Sequence, residues 1–100
     1  MENKKMINSA NGLTLNERQR EMIVDFGAFA YNAKKISVIL ELPFDFIEKS
    51  LKDESTEIHK LYFKGLYTAE YVLDKKMFDL AQQGDIKAID RLKSRIMQRK

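Results

Sequence analysis

The chain has 100 residues, 44% hydrophobic and 33% charged, with a formal net charge of +3. That is room for one modest core under a well-solvated surface, with too little excess charge to demand a polyanionic partner. It has no cysteine, which excludes disulfides, thiolate metal sites and thiol nucleophiles together.

Residues 1–13 are polar, rich in Asn, and read as a flexible N-terminal arm. Their two lysines are not followed by the apolar stretch of a secretory signal. No apolar run approaches the roughly 18 residues needed to cross a bilayer, so a cytoplasmic protein with no membrane partner is expected. With one proline and four glycines, few positions forbid helix, and the fold class expected is all-α. Thr14 and Glu17 have the Thr-x-x-Glu spacing of a capping box, with Thr14 as cap. Met22, Ile23, Phe26, Phe29 and Ala30 then share one side of a helix. Gly27 inside it costs about 1 kcal/mol against alanine, and marks either a close contact or the approaching helix end. Asn32 is the expected cap of a second helix over 33–40.

The segment Lys35–Leu51, KISVILELPFDFIEKSL, carries the most information. Ile36, Ile39 and Leu40 fall on one helical face beside the small Ser37. Leu42 packs in a turn, Pro43 opens the next helix, and Ile47 and Leu51 give it an i, i+4 apolar stripe. This is the pattern of a helix-turn-helix, and residues 14–52 are expected to form a DNA-binding unit around it. Its second helix commonly enters the major groove and its first crosses the backbone. Against this, Glu41 stands where many such turns have glycine, and Asp45 and Glu48 on the second helix would repel phosphate.

Lys52–Thr56 is a polar break. A long helix follows over about 57–83, with Ile58, Tyr62, Leu66, Ala69, Leu73, Met77 and Leu80 advancing by threes and fours. Gly65 is either a close packing point or a kink. Gly84 suits a helix end and Asp85 a cap, and a last helix over 86–98 carries Ile86, Ile89, Leu92 and Ile96 on one face. Residues 53–100 thus read as an antiparallel long-helix hairpin for oligomerisation, with a basic C-terminal end.

The stretches ISVILELPFDFIEKSLKD and EIHKLYFKGLYTAEYVLDKKMFDLAQQGDIKAIDRL together resemble the small subunit of a tailed-phage terminase. The resemblance lies in the helix-turn-helix, the aromatic and glycine of Tyr62-Phe63-Lys64-Gly65, and the phrase Ala81-Gln82-Gln83-Gly84-Asp85 ahead of a last helix containing Ala88. It spans roughly residues 34–92. What it implies is recognition of viral double-stranded DNA, assembly of copies into a ring through the helical segment, and delivery of DNA to a large terminase subunit, in the cytoplasm of a host cell.

Five residues are the expected DNA contacts: Lys34, Lys35, Lys49, Ser50 and Lys52. Lysine on phosphate positions a protein without reading sequence. Lys34 and Lys35 oppose the helix macrodipole where they stand, an arrangement that packing does not explain. Arg91, Lys93, Arg95 and Arg99 in the basic C-terminal run offer further contacts, whereas Arg18 and Arg20 have Glu17 and Glu21 close by. Phe44 and Phe46 read as core or subunit-contact residues. Tyr62 and Phe63 point in different directions around their helix, and with Leu66 and Tyr67 they form the expected oligomer interface. His59 is the sole histidine, too little for a zinc site. No nucleophile, phosphate loop or acid–base pair stands out, so neither catalysis nor a cofactor is expected. A dimeric transcriptional regulator and a non-catalytic structural or adaptor protein are the alternatives.

Overall fold

Every helix in this chain begins or ends where a side chain or a left-handed residue can satisfy the free backbone groups. The structure, a computed structural model, describes residues 14–99; the expected arm over 1–13 lies outside them. Five helices and no strand make up the described residues: α1 (Glu17–Ala28), α2 (Ala33–Leu40), α3 (Phe44–Lys52), α4 (Glu57–Gln82) and α5 (Ile86–Gln98). The chain is all-α.

Side-chain caps set four of the starts, that of α4 being the Thr56 hydroxyl, which accepts the His59 N–H at 3.1 Å. Asn32 Oδ1 accepts the Lys35 N–H at 2.8 Å and Asp85 Oδ1 the Ala88 N–H at 3.1 Å, so α2 and α5 span the ranges their sequences indicate. The start of α1 differs. Asn16, not Thr14, is the cap, and it forms a reciprocal capping box with Gln19 (Gln19 N–H to Asn16 Oδ1, 2.7 Å; Asn16 N–H to Gln19 Oε1, 2.9 Å). The shift of two residues lets Leu15 enter the core, where it is buried.

Three helix ends share one closure, the Schellman motif. Tyr31, Leu42 and Asp85 each donate their N–H back to the carbonyl five residues earlier, on Phe26, Ser37 and Leu80. The residue before each donor must then be left-handed: Ala30 (φ 57°), Glu41 (φ 57°) and Gly84 (φ 95°). Only the last is the residue type that adopts this conformation without strain. The Glu41 side chain is exposed. Glu41→Gly is therefore expected to raise stability by about 1 kcal/mol, read as a rise in the urea midpoint at unchanged slope; a drop would mean that the glutamate makes a compensating contact.

The chain divides into two compact units, the first reaching Thr68 and the second starting at Ala69, inside α4. The first unit thus takes in the opening turns of α4, beyond the boundary expected at Lys52. Its core is Leu15, Ile23, Phe26, Ile36, Leu40, Phe46, Ile47 and Ile58, with Met22, Leu42, Leu51, Leu61 and Tyr62 against it. Ile23, Ile36 and Ile47 are fully enclosed, each contributing about 1.5–3 kcal/mol through burial. Ile39 departs from expectation at 42% exposure, because the buried stripe of α2 runs through Ile36, Ser37 and Leu40.

Gly27 and Gly65 sit at one crossing of α1 and α4. A Cβ built on Gly27 would overlap the Tyr62 carbonyl oxygen and lie 2.7 Å from its carbon; one on Gly65 would overlap the Val24 carbonyl oxygen and lie 2.8 Å from that carbon. Both glycines are contact points where backbone meets backbone; Gly27 also stands one residue before the end of α1, and Gly65 lies inside the continuous α4. Tyr62 reinforces the crossing by donating its hydroxyl to the Tyr31 carbonyl at 2.9 Å, and burial pushes its phenol up.

In the second unit the chain reverses at 83–85 and α5 lies along the later turns of α4. Ala88 is its one buried hydrophobic residue among those described. Arg95 Nε approaches Asp74 Oδ1 at 2.6 Å and Arg99 pairs with the other carboxylate oxygen. Hydrogen bonding from Arg95, then from Arg99, holds the Asp74 carboxyl below the usual carboxylate range. A depressed acid stabilises the fold above its unfolded-state pKa, and the benefit fades as pH falls through its folded value. Asp74→Asn should then lower the melting temperature at pH 7, with the gap to the parent closing below about pH 4. A gap of equal size at both pH values would assign the loss to packing.

Candidate nucleic-acid interface

α3 rests on the core through Phe46, Ile47 and Ser50, all buried. Helical geometry turns the opposite side, Phe44, Asp45, Glu48, Lys49 and Lys52, outward. Four of these are exposed and Glu48 is half-buried. The helix that would meet DNA therefore has an open side with two acids, two lysines and a phenylalanine. Its first turn, which lies nearest the bases when such a helix enters the major groove, carries Phe44 and Asp45. The lysines stand at its far end.

Lys34 and Lys35 open α2 and are exposed. Lys35 Nζ lies 4.3 Å from the Tyr31 ring centroid, a cation–π contact that steadies the side chain while leaving its charge outward. Behind it, Tyr31 stacks on buried Phe26 (5.7 Å) and touches Phe29 (5.5 Å), which is 62% exposed. Ser37 is buried and donates its hydroxyl to the Lys34 carbonyl at 2.8 Å, so its small side chain serves the packing of α2.

Ser50 requires correction. It is 3% exposed, not a surface contact, because it shares the inner face of α3 with Phe46 and Ile47. Its carbonyl oxygen lies 2.7 Å from the Thr56 hydroxyl, which also accepts the His59 N–H (3.1 Å). His59 donates from Nδ1 to the Leu51 carbonyl (2.7 Å) and packs on Phe63 at 4.4 Å. Ser50, Thr56 and His59 thus fasten the end of α3 to the start of α4.

No protein-family model, curated protein or solved structure matches this chain. Charge is then the most direct guide to partners. The described residues of the first unit hold eight Lys and Arg against nine Asp and Glu, whereas those of the second hold seven against five. The basic excess lies in the unit without the α2–α3 turn. Within it, Arg95 and Arg99 are committed to Asp74, leaving Arg91 and Lys93 as its exposed cations from the expected set. Arg20 is committed too, to Glu57 at 2.8 Å.

The expected oligomer residues also separate. Tyr62 packs on the core of its own unit and Leu66 is half-buried near Gly27. Phe63 is half-buried among His59, Tyr62 and Tyr67. Tyr67 alone of the four is well exposed, at 60%. Sequence reasoning did not single out the exposed Val38 on the outer side of α2, or Phe78 on the second unit. For the latter the signal was present: Tyr67, Tyr71 and Phe78 keep helical spacing. No helix of the described residues is long and apolar enough to cross a membrane.

Proposed function

We propose that the chain is a non-catalytic, homo-oligomeric protein that binds double-stranded DNA, with α2 and α3 acting as a helix-turn-helix and the second unit, a helical hairpin, joining copies. The observation that supports this most is the placement of α3, sealed against the core on one side and open along the other. Lys49 and Lys52 lie on its open side, with Lys34 and Lys35 at the start of α2. A helix so placed fits the major groove while the preceding helix meets the backbone. Affinity comes mostly from phosphate contacts. Because one copy offers few free cations there, binding depends on several copies acting together, which raises avidity without new contacts.

Two forms share this reading. One is a packaging protein of small-terminase type, the form that the sequence resemblance implies, assembled as a ring and delivering viral DNA to a large terminase subunit. The other is a dimeric regulator that holds two half-sites about one helical turn apart. Copy number separates them. The test of the shared reading is fluorescence anisotropy with duplex DNA as salt rises from about 50 to about 200 mM: affinity should fall steeply, and an affinity that stays level overturns it.

A structural or adaptor protein is the second reading, favoured by Phe44, Asp45 and Glu48 on α3 together with exposed Val38 and Ile39 on α2. Those residues suit a protein surface better than a polyanion.

A further inference from the structure

The second unit is small. Residues 69–99 fall short of the roughly 40 residues below which a fold usually leans on disulfides, metals or association. The chain has no cysteine, and the described residues contain no group of His, Asp or Glu placed to hold a metal ion. Among the described residues of the unit only Ala88 is buried, while Tyr71, Phe78 and Ile96 remain about half exposed or more.

Of the exposed apolar residues in this unit, Val72, Leu73, Ile86 and Met97 line neither opening between the two helices, whereas Tyr71, Phe78 and Ile96 share one. On one side, α4 and α5 flank a shallow, open groove of about 450 Å³ lined by Tyr71, Phe78, Leu92 and Ile96, with Asp74, Lys75 and Arg99 beside them. On the other, the opening between the same helices is lined by Asp90, Arg91, Ser94, Arg95 and Gln98, with Met77 as its apolar member. The first opening is lined mostly by apolar side chains and the second mostly by charged and polar ones.

We infer that two copies of the chain pair through the Tyr71–Phe78–Leu92–Ile96 groove about a two-fold axis, so that two hairpins close into a four-helix bundle. The edge charges favour a second copy over an unlike partner. Arg99 pairs with Asp74 and Lys75 lies 3.6 Å from Asp79 within the same chain, so the edge carries alternating, balanced charges. A two-fold axis can set such a mixed edge plus against minus, whereas a uniformly acidic or basic partner would meet like charge along half of it. A closed pair also needs only one sticky patch, the same on both subunits; a ring needs two that differ. The inference rests on the assembly part of the proposed function and not on its DNA part. A copy number of two favours the dimeric regulator over the ring.

The test uses the full chain without DNA. Sedimentation equilibrium at micromolar concentration should give about twice 11.7 kDa, and Phe78→Glu should return the mass to one chain while the first unit keeps its helical circular dichroism. Met97→Glu, at an exposed position outside the groove, should leave the pair intact. Because no native thiol interferes, Lys75→Cys should cross-link to itself on oxidation and Ser94→Cys, on the polar side, should not. A monomeric parent, an assembly of eight or more, a Phe78→Glu variant still paired, or cross-linking through Ser94→Cys in place of Lys75→Cys would each overturn the inference. None of these results depends on whether the protein binds DNA.

Discussion

Replacing Gly65 with alanine is expected to cost about 3 kcal/mol of stability, and Gly27→Ala about the same. At an ordinary helical site the exchange goes the other way, since alanine is favoured over glycine by about 1 kcal/mol. Here the added methyl would sit on a carbonyl oxygen of the facing helix, Val24 for Gly65 and Tyr62 for Gly27. Neither oxygen belongs to a side chain that could swing aside. Relief requires α1 and α4 to separate, which would loosen the Tyr62–Tyr31 hydrogen bond and open the core around Ile23 and Ile58. The sign makes the experiment decisive. Thermal and urea melts should show a drop of about 10–20 °C, and a variant as stable as the parent would mean that the two backbones do not meet there. Because both glycines serve one crossing, the double variant should lose less than the two single losses together.

The second large effect concerns DNA. Reversing Lys34, Lys35, Lys49 and Lys52 to glutamate takes the formal net charge from +3 to −5, four reversals of two charges each. Affinity for duplex DNA should fall about 100-fold or more at low salt, and the dependence of what remains on salt should flatten. The fold should tolerate the change. All four side chains are exposed, and glutamate at the start of α2 suits the helix macrodipole better than lysine does. The matched control reverses Lys60, Lys64, Lys76 and Lys87, also exposed, to the same net charge. A loss confined to the first set places the contact on α2 and α3. Equal losses would reduce it to overall charge, and no loss, or no binding by the parent, would leave the adaptor reading.

Much of the local structure could be read from the sequence, because caps and turn residues act at short range. Asn32, Gly84 and Asp85 place their helix ends without help from the rest of the chain. The start of α1 could not be read so well. Thr14 and Asn16 are both good caps, and what separates them is whether Leu15 goes inside, which depends on a core built from distant segments. Glu41 shows the same limit: the turn needs a left-handed residue, and the downstream packing of Leu42 and Ile47 holds a glutamate there despite the strain.

The candidate site was harder still. Ser50 is polar, but it lies three and four residues from Ile47 and Phe46, on the inward stripe, so its burial follows from periodicity once Phe46 is taken as core. The commitment of Arg95 and Arg99 to Asp74 depends on how α5 folds back on α4. So does the grouping of Tyr71 and Phe78 with Leu92 and Ile96. Gly27 and Gly65 are each ambiguous alone; their pairing is tertiary information.

That pairing bears on how this chain can drift. Each glycine is hemmed in by the opposing main chain, so no trimmed neighbour elsewhere can make room for a methyl group. Descendants of this sequence should diverge freely along the outer helix faces while keeping both sites bare, a two-letter fingerprint by which remote kin could be recognised.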